Sequence, residues 1–129
     1  MKEILKIINE QMKAIGVEYY YLYNNAPKVN YPYVTGEFTQ NTYSYEDNSN
    51  SGDMLLECWN RGSQANLVTL HQKIKEHFRD LQVIKDNTVA HIAYNSAYPI
   101  RTNDASLFKV EIHLDITYWE GEKQWVIMH

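Results

Sequence analysis

The stretch Phe108–Trp119 (FKVEIHLDITYW) decides the fold, because apolar and polar residues alternate along almost its whole length. The apolar set runs from Phe108 to Tyr118, and the polar set runs from Lys109 to Thr117. A period of two held over this length is typical of a β-strand with one buried face and one face in water. The stretch therefore predicts a sheet that is covered on one side.

Two amphipathic helices are predicted to supply that cover. In the first, apolar residues recur at helical spacing from Ile4 to Ile15. In the second, an apolar stripe runs from Leu67 to Leu81, and Ser63 stands before it as an expected N-cap. Each helix has one apolar face, so we expect both helices to pack on one face of the sheet.

Four further extended runs complete the prediction, at 17–23, 31–45, 54–59 and 88–94. The polar stretch 46–53 predicts a hairpin tip, and 95–106 predicts an irregular connection. The order α-β-β-β-α-β-β predicts an α+β fold, with a mainly antiparallel sheet of about five strands. With neither a repeat nor a linker, residues 1–129 are expected to form a single domain, with an apolar tail at about 121–129.

The composition excludes several classes of protein. The chain has 129 residues, 44% of them hydrophobic, and a formal net charge of -4, which is typical of one ordered domain. The acidic balance argues against a general nucleic-acid binder. A lone cysteine, Cys58, cannot form an internal disulfide. The apolar runs are too short to predict a membrane span or a secretion leader.

The sequence offers one candidate metal site. His113 and Asp115 point the same way from one strand, Glu111 lies beside them, and His91 stands on a neighbouring strand. Such a set suits a divalent cation, although the alternation alone already predicts a solvated polar face. Cys58 lacks a surrounding nucleophile motif, and phosphate-binding glycine loops are missing from the sequence. We therefore expect neither a cofactor nor an enzyme.

Tyrosine is the compositional exception, with 11 residues, eight of them between Tyr19 and Tyr45. Acidic residues surround this run, which disfavours stacking on single-stranded nucleic acid. Tyrosine and tryptophan are enriched at protein interfaces, so the run and the apolar tail predict contacts with a partner. The candidate contact residues are Tyr19, Tyr21, Tyr31 and Tyr33 in the strands, Asp47 and Asp53 in the acidic loop, and Trp125 and Ile127 in the tail.

The stretch Tyr31-Pro32-Tyr33-Val34-Thr35 (YPYVT) resembles the start of a central strand in small tail-terminator and head–tail joining (neck) proteins of long-tailed phages and prophages. The surrounding order is similar as well. It includes a preceding helix and short strand, the turn Asn25-Ala26-Pro27, a hairpin with a long tip, and a returning strand that ends at Trp59.

This resemblance implies a structural virion protein. Such proteins form a ring, commonly of six subunits, that terminates the tail tube and joins it to the head connector. The implied partners are other copies of the chain, a tail-tube protein and a head-closure or connector protein. DNA would pass through the ring without sequence-specific recognition. The implied location is the virion, after assembly in the bacterial cytoplasm and without a membrane.

Two alternatives stay open at this point. One is another connector component of the same virion, such as a head-closure or minor tail protein. The other is a monomeric α+β domain that binds a small ligand or a metal through His91, Glu111 and His113.

Overall fold

The computed structural model describes residues 2–41, 46 and 48–120, and these form two helices and six strands. The elements in chain order are α1 (Lys2–Ala14), β1 (Tyr19–Tyr21), β2 (Tyr33–Gln40), β3 (Asn50–Arg61), α2 (Gln64–Phe78), β4 (Asp80–Lys85), β5 (Thr88–Ile100) and β6 (Leu107–Glu120). The predicted α+β class is confirmed.

The six strands form one sheet in the order β1-β2-β3-β6-β5-β4. Neighbouring strands are antiparallel except for β1 and β2, which run parallel. The strand predicted from the alternation at 108–119 is β6, and it pairs along its length with both β3 and β5. It therefore stands at the centre of the sheet, and its apolar positions meet the core.

The prediction of about five strands is wrong, because β4 follows α2 directly. Leu81 lies three positions after Phe78, so it fitted the helical stripe as well as the alternation of a strand. In the structure α2 ends at Phe78. Lys85 and Thr88 pair across a two-residue turn in which Asp86 has a φ of 53°. A left-handed residue at this point is typical of a tight hairpin.

Two other boundaries differ from the prediction. Strand β3 begins at Asn50, so Asp53 lies within a strand opposite Thr39 rather than at a loop tip. Strand β5 continues to Ile100 after a bulge between Tyr94 and Ser96, so the predicted connection at 95–106 is strand through residue 100. Pairing with β6 outweighs the weak strand propensity of this polar stretch.

The two helices share one core with the inner face of the sheet. From α1, Ile4, Ile8 and Met12 are fully buried, as are Ile74 and Phe78 from α2. His77 Nε2 lies 2.7 Å from Gln11 Oε1 and so links the helices directly. None of the helices in the described ranges has the length and apolar character needed to cross a bilayer.

Helix α1 touches both edges of the sheet. It packs against β1, and Glu10 forms an ion pair with Lys85 on β4. Because β1 and β4 are the opposite edge strands, the sheet must curl around the helices. The sequence pattern had not indicated this curl.

Candidate interaction surface

Four aromatic rings form a row on the outer face of the sheet, opposite the core. We call Tyr20, Tyr31, Tyr33 and Trp59 the aromatic row. Tyr33 is its centre, with ring centroids 6.3 Å from Tyr20, 5.5 Å from Tyr31 and 6.4 Å from Trp59. Edge-to-face and offset-stacked pairs at these separations are favourable arrangements of aromatic rings. The row is thus a continuous aromatic surface.

Strand pairing places the rings of the row. Tyr33 and Trp59 are direct partners across β2 and β3, and Tyr20 pairs with Thr35 on the parallel side of β2. Each ring therefore comes from an outward position of its strand, except for Tyr31, which lies just before β2. This support from three paired strands fixes the row on a rigid part of the molecule.

Two cations lie against the aromatic row, and each is already paired. Arg61 Cζ lies 5.7 Å from the Tyr31 ring centroid, and Lys109 Nζ lies 4.7 Å from that of Trp59. Lys109 also contacts Glu57 Oε2 at 2.5 Å, and Arg61 contacts Asp104 Oδ2 at 2.8 Å. Cation–π contacts of this kind hold the rings in place. Since a carboxylate neutralises each cation, the surface suits a partner that binds through its apolar area.

The Arg61–Asp104 contact shifts the pKa values of both side chains. The hydrogen bond from Arg61, together with donors from Ser106, lowers the pKa of Asp104 from 3.8 to about 2. Each of these donors favours the charged carboxylate. The same contact raises the pKa of Arg61. The pair therefore stays charged through the whole physiological pH range.

Several exposed apolar side chains lie in the connection from β1 to β2, which leads into the aromatic row. Tyr31 is 37% exposed, and the connection from β1 to β2 adds Leu22, Tyr23 and Val29, which are 50%, 69% and 44% exposed. Scattered exposed apolar residues are ordinary, but a contiguous group at one site is typical of an interaction surface. This connection leads along the chain into Tyr31 of the row, so we include it in the candidate surface.

The middle of the outer face is acidic. Glu57 lies directly across from Glu111, and Asp53 lies directly across from Asp115. Like charges placed opposite each other on neighbouring strands repel. Lys109 compensates the first pair, and Asn95 Nδ2 donates a hydrogen bond to Asp115 at 2.9 Å. Polyanions such as nucleic acid would be repelled from this part of the face.

The predicted metal ligands share the outer face, and three of the four, His91, His113 and Asp115, contact other side chains. His91 Nε2 lies 2.5 Å from Asp80 Oδ1, and His113 Nε2 lies 2.8 Å from Tyr98 Oη. Glu111 and Asp115 stand on the same strand as His113. Within the described ranges, no three histidine, cysteine, aspartate or glutamate side chains converge to hold a metal ion.

Two of the predicted contact tyrosines lie on the inner side. Tyr19 is half-buried over Gly36 and packs on the core, and this burial raises its pKa far above the usual range for tyrosine. Tyr21 Oη accepts a hydrogen bond from the Phe38 backbone N–H at 3.2 Å. Both rings are thus used inside the domain. The outward ring of β1 is Tyr20, which sequence reasoning missed.

The other predicted contacts divide between described and undescribed parts of the chain. Tyr33 belongs to the aromatic row together with the exposed Tyr31, and Asp53 is exposed on β3. Asp47, Trp125 and Ile127 lie outside the described residues. From the sequence, Trp59, the fourth ring of the row, is predicted only to end a strand. The pairing of β2 with β3, which sets Trp59 opposite Tyr33, is what places this ring in the row.

Cys58 and His71 have structural surroundings. Cys58 is fully buried, and this burial raises its pKa to about 12. A thiol in such a site is a weak nucleophile. His71 Nε2 lies 2.9 Å from Tyr94 Oη, and burial together with Lys75 lowers the pKa of His71. The predicted burial of Cys58 is confirmed.

A cleft lies at one end of the sheet, under the start of α2. We call this the end cleft; its volume is about 430 Å³. Its apolar lining includes Leu67, Pro99, Ile100, Phe108 and Val110. The size lies within the usual range of ligand pockets, and the lining offers mainly apolar contact.

No family model matches the chain, and a search of curated proteins finds no significant match.

Proposed function

We propose that this protein is a structural subunit that assembles with copies of itself into a ring, as the terminator or neck component of a phage or prophage tail. The observation that carries the self-assembly is the aromatic row on the outer face of the sheet, opposite both helices. The tail assignment itself rests on the resemblance of the Tyr31–Thr35 stretch to that family. The proposal contains no catalytic step and no cofactor.

The aromatic row has the properties of a contact surface. Its rings are large and are held by strand pairing, so burying them in an interface costs little side-chain entropy. Their neighbouring cations are neutralised by Glu57 and Asp104. A partner surface would gain apolar burial there without having to desolvate an unpaired charge. In a ring, the row of each subunit would contact a different patch on the next subunit.

The acidic middle of the outer face agrees with passage of DNA without binding. The opposed pairs Glu57–Glu111 and Asp53–Asp115 keep a net negative charge after Lys109 compensates Glu57. In a ring whose channel was lined by this face, repulsion would keep DNA from adhering to the wall. The tail-tube protein and the connector would then bind the two ends of the ring, and the assembled location would be the virion.

Molar mass as a function of concentration tests self-assembly. We expect light scattering to show a change from monomer to a defined oligomer, directly or on addition of tail tubes. The variant Tyr20→Ser/Tyr31→Ser should shift that change to at least tenfold higher concentration, because interface aromatics dominate binding energy. Ile84→Ser is the matched control, since Ile84 is 71% exposed on the edge strand β4.

A second candidate is a monomeric domain that binds a small ligand in the end cleft, rather than through the His91, Glu111 and His113 set considered from the sequence. A protein that stays monomeric at all concentrations, with or without tail tubes, would contradict self-assembly and favour that alternative. A stable ring that binds neither tail tubes nor connectors would support self-assembly but contradict the proposed role in a phage tail. If the protein is instead another connector component, such as a head-closure or minor tail protein, it should bind a different virion protein in the same assay.

A further inference from the structure

The end cleft exists because the helices do not fully cover the inner face of β6. At Ile112, Leu114 and Ile116 this face is buried, with at most 1% exposure. At Phe108 and Val110, on the same face, the side chains remain partly exposed. Apolar positions that point to the core side but stay open to solvent are suited to receive apolar side chains from elsewhere.

The chain carries an apolar segment outside the described residues. Trp125-Val126-Ile127-Met128 follows β6, and it is the longest uninterrupted apolar run near that end of the sequence. A tryptophan followed by aliphatic residues matches the chemistry of the cleft lining, which includes Leu67 and Phe108. Aromatic anchors of this kind contribute large apolar area when they enter a pocket.

The geometry of β6 keeps this segment away from the cleft of its own subunit. Val110 lines the cleft and Glu120 ends the strand, ten positions further along. At the rise of a strand, those ten residues cover roughly 33 Å. The five residues from Glu120 to Trp125 reach at most about 18 Å when fully extended. Trp125 therefore falls well short of the cleft at the other end of its own strand.

We propose that residues 125–128 of one copy occupy the end cleft of a second copy, with Trp125 as the anchor. This inference rests on the proposed self-assembly and names one of its contacts. The cleft lies at the start of β6, whereas the segment follows the end of that strand in the sequence, so the contact joins two different patches and is heterologous. Repeated around a symmetry axis, such a contact links every subunit to the next.

Disulfide trapping in the full chain tests the contact. Ala105 is an exposed residue of the cleft lining, so Ala105→Cys places a thiol at the cleft and Ile127→Cys places one in the segment. The native Cys58 is buried and should not interfere. On oxidation, the double variant should give covalent dimers and larger species. A mixture of the two single variants should give dimers joined between positions 105 and 127.

Three outcomes would overturn the inference, and they separate it from the proposed function. A 105–127 disulfide within one chain would place the segment in its own cleft. Oligomers without any 105–127 disulfide would contradict the contact but leave self-assembly intact. A protein that never associates would contradict both.

A substitution in the segment gives a second readout. Trp125→Ser should weaken self-association by roughly tenfold or more, as expected for loss of an aromatic anchor. Lys123→Ser is the matched control, because it shortens a side chain next to the segment without removing an anchor. Equal association of the two variants would contradict the role of Trp125. Circular dichroism of both variants checks that a loss of association does not come from unfolding.

Discussion

Tyr33 and Trp59 face each other across β2 and β3, with ring centroids 6.4 Å apart and ring planes inclined by 21°. Lys109 covers the far side of this pair and is itself held by Glu57. The pair thus joins three neighbouring strands on the face opposite α1 and α2. It stabilises the sheet and also offers the aromatic surface on which the proposed assembly depends.

Removal of the central ring should lower the stability of the monomer. Tyr33→Ala loses contacts with three aromatic rings, so we expect the free energy of unfolding to fall by about 1–2 kcal/mol. Urea denaturation followed by tryptophan fluorescence measures this change. Tyr23→Ala is the control, because Tyr23 is 69% exposed and its loss should change stability by less than about 0.5 kcal/mol. Equal effects of the two substitutions would contradict the packing described for the row.

Gly36 should not tolerate a side chain. A methyl group there would meet the side chains of Tyr19 and Met54, both packed against it from the core side. We expect Gly36→Ala to lower the free energy of unfolding by about 1–3 kcal/mol, since overpacking of a filled core has this cost. Gly36→Ala should lower stability less in a Tyr19→Ala background than in the wild-type protein, because the Tyr19 ring no longer lies over Gly36. A fully additive double variant would show that Tyr19 does not cover Gly36.

Cys58 should be unreactive in the folded protein. Its thiol is buried and its pKa is raised to about 12, so little thiolate exists at pH 8. A chromogenic disulfide reagent should modify it only on unfolding, at a rate that falls as stability rises. The exposed thiol of Ala105→Cys should react at once under the same conditions. Rapid modification of native Cys58 would contradict its place in the core.

Asp104 should titrate at unusually low pH. Because its folded pKa lies near 2, below the usual value of 3.8, its contact with Arg61 stabilises the fold above pH 4. That contribution is lost as the pH falls towards 2. Carboxyl NMR titration should show the pKa of Asp104 moving upward in Arg61→Ala, although the Ser106 donors keep part of the shift. Lys109→Ala, which removes the partner of Glu57 instead, should leave it unchanged.

The sequence predicted the fold where one residue pattern dominated. The alternation from Phe108 to Tyr118 placed β6 because every second side chain must enter the core. Strand β4 was missed because Leu81 satisfies both helical and strand spacing. The parallel pairing of β1 with β2 depends on a long connection whose path has no local signature. Long-range pairing of this kind cannot be read from periodicity.

The candidate surface was predicted in composition but not in detail. The excess of tyrosine indicated the right strands, and Tyr31 and Tyr33 do belong to the aromatic row. Three consecutive tyrosines in β1 gave no indication of which ring faces outward. The register Tyr20–Thr35 decides that Tyr20 lies on the outer face and that Tyr19 and Tyr21 pack inward. Trp59 joins the row through its register opposite Tyr33.

The most direct test of the central claim is electron cryo-microscopy of the assembled protein, alone or bound to tail tubes. The account predicts a closed ring in which the aromatic row of each subunit is buried against the next subunit. A ring with Tyr31, Tyr33 and Trp59 exposed to solvent, or particles no larger than one 15.2 kDa chain, would contradict it.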